Sequence, residues 1–342
     1  MPYETLPLAN ATQTLHSFTI MAPGGWLDVH AHFYFPATDD EAKKLVQLFR
    51  DTNFMVSEPS EVQWDPEKII AYNDSAGVQM QLLSYLPSQH EKLRAANDYG
   101  HGVVKKHPSR FGLLTALPTD DADACLAEIR RVKQFDDPKA DGYCTTTVYN
   151  DIPLGDPRLN TVWEQLNNEE AVIHVHPNAY KSGDYGKPGP LIDVAFDTAK
   201  VATDMLYKGV FRRYPKIKWI FAHCGGALPA LSGRLSLLGT ESWVPNPEGL
   251  TREEIETQLA NLYVDTAATA KTGLAPAIKM VGAGHCLYGA DCGVPCSNAR
   301  TMNENMKDVG AVEKELGIEA GTIARNTWEL FPAAARRAEA SS

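Results

Sequence analysis

Two histidines separated by one residue, His30 and His32, stand near the start of the chain at the end of an apolar stretch that begins at Trp26. Side chains on a β-strand alternate between its two faces, so both rings of this pair would point the same way. Two neutral imidazoles side by side on a strand form half of a site for a divalent metal ion. Without further ligands they would be two polar histidines at a strand end, so the interpretation depends on the rest of the chain.

Three later strand-like segments also end on side chains that can bind a metal or transfer a proton. The fifth ends on His176, the sixth ends on His223, and Asp291 directly follows the eighth. Three of these histidines and one carboxylate would suit zinc or a similar first-row ion and would leave one position open for water or substrate. His223, predicted opposite the first pair, is interpreted as a residue that transfers a proton or orients the substrate.

Each of these residues also has an ordinary structural alternative. His176 could be a strand-end histidine before the turn at Pro177, and His223 could precede a tight helix entry. Asp291 could be the N-cap of the last barrel helix. His174, one layer deeper on the same face as His176, is expected to be a hydrogen-bonded core histidine.

Composition and charge exclude several classes of partner. The chain has 342 residues, is 44% hydrophobic and carries a formal net charge of -11, which argues against nucleic acid and anionic membrane surfaces. No apolar run reaches the roughly 18 residues of a membrane span, and residues 1–25 do not have the pattern of a secretory signal. The six cysteines form no short-spaced pair and are expected to be free thiols in the cytosol. Cys292 and Cys296 are expected to pack without reacting.

Eight strand-like segments alternate with helices, which predicts an α/β fold of the (β/α)₈ barrel type. The strands are predicted at 26–32, 78–84, 111–117, 143–149, 171–176, 217–223, 261–265 and 286–290. The helices are predicted at 66–76, 88–107, 121–135, 157–169, 191–208, 226–238, 270–282 and 298–307. A doubly wound open sheet is the alternative, but no Gly-x-Gly-x-x-Gly follows a strand, so a dinucleotide site has no support.

One barrel domain is predicted over residues 26–334, after an N-terminal extension of residues 1–25 and before a frayed tail of residues 335–342. A loop-rich insertion follows the first strand, and a helical tail is predicted over 311–334. Reactive groups of such barrels sit at the carboxyl ends of the strands, which is where the histidines and Asp291 are predicted.

Five stretches of the sequence, most of which contain the histidines and aspartates described above, together resemble the motifs of a known family. They are residues 28–32, 64–67, 175–177, 221–229 with Gly233 and Arg234, and 287–291. On these motifs the chain resembles the metal-dependent amidohydrolase superfamily, in the branch of aminocarboxymuconate-semialdehyde decarboxylase-like proteins. The resemblance covers about residues 26–332 and implies the barrel fold.

The resemblance also implies a metal site and an activity. It implies one divalent ion, expected to be zinc with manganese as an alternative, held by His30, His32, His176 and Asp291, with His223 as the catalytic histidine. The predicted fourth strand has no lysine, so the bridging lysine carbamate of binuclear relatives cannot form there. Members of this branch mostly perform non-oxidative decarboxylation without an organic cofactor, and they are typically homodimers.

The substrate is expected to be a small aromatic monocarboxylate. Residues 57–63 contain no basic residue, whereas the muconate-semialdehyde enzymes carry arginines there that hold a second carboxylate. An ortho-hydroxybenzoate such as 6-methylsalicylate fits better, and the pattern is similar to the 6-methylsalicylate decarboxylase type. Trp64 and the small Cys292 are expected in the substrate pocket. The alternatives are a metal-dependent hydrolase of a lactone or ester and a metal-binding scaffold without activity.

Overall fold

Eight parallel strands form one sheet in which the strands follow the order of the chain. The strands are β1 (Trp26–His32), β2 (Val78–Ser84), β3 (Phe111–Ala116), β4 (Gly142–Thr146), β5 (Val172–His176), β6 (Lys218–Phe221), β7 (Tyr263–Asp265) and β8 (Cys286–Leu287). The sheet closes because β1 also meets the segment that begins with β8. The amide of Val29 donates to the carbonyl of Tyr288 at 3.0 Å, and the amide of His32 donates to the carbonyl of Cys292 at 2.7 Å. The predicted (β/α)₈ barrel is confirmed.

This computed structural model describes residues 24–340 except 53, 55–56, 179–185 and 295–296. Most of the predicted N-terminal extension, and Cys296, therefore lie outside the described residues. The five other cysteines are buried free thiols, as predicted. Within the described ranges no helix combines the length and the apolar character needed to cross a membrane.

Helices cover the outside of the barrel. The longer ones are Asp39–Asp51, Pro66–Ala76, His90–Lys106, Ala122–Val132, Asn160–Asn168, Asp193–Tyr207, Leu228–Leu238, Arg252–Ala260, Ala270–Val281, Ala299–Glu315, Thr322–Leu330 and Pro332–Glu339. The helix that starts at Pro66 has the predicted boundaries, because the Asp65 side chain accepts a hydrogen bond from the amide of Glu67 and Gly77 ends it with a φ of 74°.

Several elements differ from the sequence prediction, in which no helix was placed over Asp39–Asp51. The helix Arg252–Ala260 was not predicted, although Thr251 and Glu254 form a capping box at its start. The helix Ala299–Glu315 continues through the break predicted after residue 307. The predicted fourth strand at 143–149 is divided, since β4 ends at Thr146 and a short hairpin follows.

The C-terminal segment is ordered where a frayed tail was expected from residue 335. Helix Pro332–Glu339 buries Ala334, Ala335 and Ala338 in the same apolar cluster as the barrel interior. Its Arg337 donates to both carboxylate oxygens of Asp141, at 3.0 and 2.8 Å. The tail prediction was wrong because this helix is stabilised by packing against the barrel and by the pairing of Arg337 with Asp141, which are contacts between distant segments that the sequence does not show.

Candidate metal centre and active site

His30 and His32 lie on one face of β1 and meet at their Nε2 atoms, which are 3.1 Å apart. Both residues are buried. The ring of His176, from the end of β5, has its centroid 5.1 Å from that of His30 and 4.8 Å from that of His32. The two strands thus bring three imidazoles together at the carboxyl end of the barrel.

The Nδ1 atom of each of these three rings, which points away from the cluster, has a hydrogen-bond partner, and for His176 and His30 that partner determines the tautomer. Nδ1 of His176 lies 2.8 Å from the carbonyl oxygen of Pro177, which can only accept, so this Nδ1 carries the proton and donates. Nδ1 of His30 donates to the Asp265 carboxylate at 3.0 Å. Nδ1 of His32 lies 3.2 Å from the hydroxyl of Ser84. When a ring is neutral and its Nδ1 carries the proton, its Nε2 atom, which faces the cluster, has a free lone pair.

Asp265, at the end of β7, holds several parts of the site at once. Its Oδ2 accepts from Nδ1 of His30 and, at 2.8 Å, from Nε2 of His174. Its Oδ1 accepts from the amides of His223 and Ala267, both at 3.0 Å. Burial alone would raise its pKa, but the neighbouring His30 charge and the hydrogen bond from His174 keep the pKa of Asp265 well below its usual range.

Sequence reasoning did not assign a role to Asp265. It ends the seventh predicted strand, so the rule that placed His176 and His223 at strand ends could have found it. His174 is the hydrogen-bonded core histidine that was predicted, and burial lowers its pKa to about 4.

Asp28 supports β1 from inside the barrel. Its Oδ1 accepts from the amides of His30 and Ala290, and its Oδ2 accepts from the side-chain amide of Gln81, each at 2.9 Å. The carboxylate therefore joins β1, β2 and the segment after β8 directly below the histidines. Burial raises the pKa of Asp28 to about 7.

Asp291 places its two carboxylate oxygens against different histidines. Its Oδ1 lies 3.3 Å from Nε2 of both His30 and His32, whereas its Oδ2 lies 3.7 Å from Nε2 of His223. Asp291 is not the N-cap of the next helix, since Asn298 caps that helix. The carboxylate is instead part of the histidine cluster.

Tight backbone geometry surrounds Asp291, which itself has a φ of 58°. A Cβ on Gly289 would lie 2.9 Å from Cβ of His30, and a Cβ on Gly293 would lie 2.0 Å from the carbonyl oxygen of His32. Glycine at these two positions lets the segment approach β1 closely enough for the Asp291 side chain to reach the histidines.

His223 lies beyond β6 and not on it, although the sequence prediction extended the strand to residue 223. The strand ends at Phe221, and His223 has φ 55° and ψ 49°, in the left-handed region. This turn directs the ring towards the cluster, where its centroid lies 4.9 Å from that of His30 and 5.5 Å from that of His176. The backbone is held in this conformation by the hydrogen bond to Asp265.

The pKa shifts in the cluster show an environment that favours one positive charge. Burial alone would lower the pKa of His30, but the carboxylates of Asp265 and Asp291 raise this pKa to about 10. Burial lowers the pKa of His32, and it lowers that of His176 further below the usual range. Despite burial, contacts with His223 and His30 keep the pKa of Asp291 well below its usual value.

These residues fit a divalent metal ion. Ligand atoms of His30, His176, His223 and Asp291 lie within 4.8 Å of one another, and Nε2 of His32 lies next to the same carboxylate oxygen. Lone pairs on adjacent Nε2 atoms repel each other unless a cation or a proton lies between them. Neutral imidazoles whose other nitrogen is hydrogen-bonded outward, next to an ionised carboxylate, are the donors that zinc and similar ions use.

A cavity of about 570 Å³ opens above this cluster. His32, His176, His223 and Asp291 line it, together with mainly apolar and aromatic side chains. Trp64 and Cys292, predicted in the pocket, are not among the described lining residues. Trp64 packs in the core against Phe33, with ring centroids 6.0 Å apart, and Cys292 is only 2% exposed beside β1. These two predicted pocket roles are not supported by where the side chains lie.

Two fungal decarboxylases are similar to this chain over most of its length. Decarboxylase macB of Penicillium terrestre is 28% identical over 334 residues, which cover 90% of this chain and 94% of that protein. The 6-methylsalicylic acid decarboxylase acuB of Aspergillus aculeatus is 27% identical over 256 residues, covering 72% of this chain and 77% of that protein.

The fold is also found among solved structures. The crystal structure of a dihydroxybenzoic acid decarboxylase from Polaromonas sp., with bound manganese and the inhibitor 2-nitroresorcinol, has a TM-score of 0.68 at 21% identity and covers 90% of this chain and 97% of that one. The family model described as Amidohydrolase matches residues 27–301, from the first barrel strand to beyond Asp291. The chain therefore belongs to the amidohydrolase family, as its motifs indicated.

Proposed function

We propose that this chain is a metal-dependent, non-oxidative decarboxylase of a small ortho-hydroxybenzoate, of which 6-methylsalicylate is an example. The observation that carries the proposal is the meeting of Nε2 of His30 and His32 with the carboxylate of Asp291 below an apolar cavity. The names of the two fungal relatives support the same type of reaction.

His30, His32, His176 and Asp291 would hold the metal ion. Bound there, a divalent ion supplies positive charge that binds and orients a carboxylate and a neighbouring phenolic oxygen. Three imidazoles and one carboxylate favour zinc, while manganese, which the Polaromonas protein binds, is the alternative.

His223 and Asp291 would provide the proton. Nε2 of His223 and Oδ2 of Asp291 are 3.7 Å apart, and both residues line the cavity, so one proton shared by this pair is within reach of a bound ring. The proton is transferred to the ring carbon that bears the carboxylate. The carbon–carbon bond then breaks, its electron pair returns to the ring to restore aromaticity, and carbon dioxide leaves. One proton is consumed for each carboxylate lost.

The cavity wall favours a substrate with one carboxylate. Among the described lining residues there is no lysine or arginine that could bind a second one. This agrees with the absence of basic residues from residues 57–63.

Metal analysis of the purified protein together with a carbon dioxide assay tests the proposal. We expect about one equivalent of divalent metal per chain and carbon dioxide release from ortho-hydroxybenzoates but not from para-hydroxybenzoate, which lacks the neighbouring phenolic oxygen. A chelator should abolish turnover, and added zinc or manganese should restore it. Full activity of metal-free protein, or turnover of lactones with none of the acids accepted, would contradict the decarboxylase.

The homodimer and the cytosolic location implied above remain proposals. Size-exclusion chromatography with light scattering checks the first, with a mass of twice the 37.5 kDa chain expected. A monomer at micromolar concentration would exclude it.

A further inference from the structure

The cavity is larger than a bare salicylate ring requires. Its volume of about 570 Å³ is about four times the roughly 150 Å³ of an engineered protein cavity that binds benzene. The remaining space must hold water or a larger part of the substrate, and the chemistry of the wall decides between them.

Three elements present buried apolar side chains to this space. Phe54 comes from the insertion after β1, Leu86 from the segment after β2 and Val194 from the first turn of the helix Asp193–Tyr207. They are 8%, 7% and 9% exposed, so each is nearly enclosed although it borders the cavity. Contact between these side chains and an apolar group of a ligand is favourable, and they provide no hydrogen-bond partner for an ordered water molecule.

Serine and threonine contribute three hydroxyls to the described wall, on Thr146, Thr269 and Ser297, and the first two donate to backbone carbonyls of the protein. The hydroxyl of Thr146 donates to the carbonyl of Val148 at 2.8 Å, and that of Thr269 donates to the carbonyl of Thr266 at 3.0 Å. The ionisable side chains among the described lining residues are the three cavity histidines, Asp291 and two tyrosines, Tyr34 and Tyr85. The cavity is thus polar where the histidine cluster lies and mainly apolar elsewhere.

From this division we infer that the substrate is an ortho-hydroxybenzoate with an apolar ring substituent of three or more carbons, which packs against Phe54, Leu86 and Val194. The inference rests on the proposed function and extends it to a substrate class. Each buried methylene favours binding by roughly fourfold, so a longer chain raises kcat/KM as long as the wall encloses it.

Salicylate and its 4- and 6-methyl, propyl and pentyl derivatives test this with the metal-loaded full chain. In at least one of the two series we expect kcat/KM for the pentyl acid to exceed that for the methyl acid by about tenfold or more. If salicylate and the methyl acids are decarboxylated but neither series rises with chain length, the inference is wrong while the proposed function stands.

Binding of product-like phenols distinguishes failure of the inferred apolar subsite from failure of the proposed decarboxylase function. The Kd values of phenol, 3-propylphenol and 3-pentylphenol, measured by calorimetry, need no turnover. A fall of Kd with chain length supports an apolar subsite even if no acid is decarboxylated, in which case only the proposed function fails. A Kd that does not fall with chain length overturns the inference.

Variants of Val194 test the position of the subsite. Val194→Phe should fill space and shift the optimum to a shorter chain, and Val194→Ala should lower the preference for pentyl over methyl. Phe196→Ala is the matched control, because Phe196 is on the same helix but is 50% exposed and does not line the cavity. If the dependence of kcat/KM on chain length is unchanged in both Val194 variants, the ring substituent does not pack against Val194.

Discussion

Asp265 accepts a hydrogen bond from the Nδ1 of His30 at 3.0 Å, although the two residues are 235 positions apart in the chain. The same carboxylate holds the ring of His174 and the backbone of His223. Asp265 is not among the described residues that line the cavity, so we expect it to act as a positioning residue through His30 and His223, which are proposed to bind the metal and to transfer the proton.

Replacing Asp265 by asparagine should weaken metal binding by roughly 10- to 100-fold. The amide would present a donor where His30 and His174 both need an acceptor, so the tautomer that leaves a lone pair on Nε2 of His30 would be lost. Metal titration measures the affinity directly. Asp141→Asn is the matched control, because Asp141 is also a buried carboxylate but is paired with Arg337. Unchanged affinity in Asp265→Asn would remove the positioning role.

Replacing His223 by alanine should lower kcat by about 100- to 10,000-fold while metal content stays constant, because this ring is proposed to carry the proton and not the ion. Turnover and metal analysis of the same sample check both parts. Loss of the metal would make His223 a ligand, which its place among the clustered donor atoms allows. Unchanged turnover with full metal content would contradict the proton-transfer role of His223, whereas absence of turnover in the metal-loaded parent as well would favour the inactive scaffold.

Replacing Asp291 by asparagine should affect both properties. The variant keeps the size of the side chain but removes the negative charge beside His30 and His32 and the oxygen that faces His223. We expect weaker metal binding and, with saturating metal, a kcat lower by about 100-fold or more. Full activity of metal-saturated Asp291→Asn is incompatible with the proton-transfer role.

Replacing Arg337 by alanine should lower the free energy of unfolding by about 3 kcal/mol, because it leaves the Asp141 carboxylate buried without its ionic partner. The Asp141 side chain is only 1% exposed, and Arg337 contacts both of its oxygens. Urea unfolding of the variant measures the change, and Arg336→Ala, at an exposed neighbouring position, should differ from the parent by less than about 0.5 kcal/mol. Equal stability of the two variants would mean that the Arg337–Asp141 ion pair does not stabilise the fold.

Local patterns were sufficient to predict much of the barrel. Alternation on β1 placed His30 and His32 on one face, and the cap at Asp65 and the glycine at 77 defined a helix correctly. Residue type and position at strand ends were also enough to select His176 and Asp291. The strand face and the helix bounds are predicted correctly because strand alternation and helix capping depend on a few neighbouring residues, while metal binding by His176 and Asp291 stays a prediction.

Contacts between distant segments were decided only by the tertiary structure. Asp265 is one strand-end aspartate in the sequence, and it becomes central only because barrel closure places β7 beside His30, His174 and the turn at His223. Trp64 matched a family motif but packs into the core, while Val194 and Phe54 carried no chemical signal and line the cavity. The physical reason is that hydrogen-bond partners and cavity walls are set by how the strands and helices pack, which local periodicity does not specify.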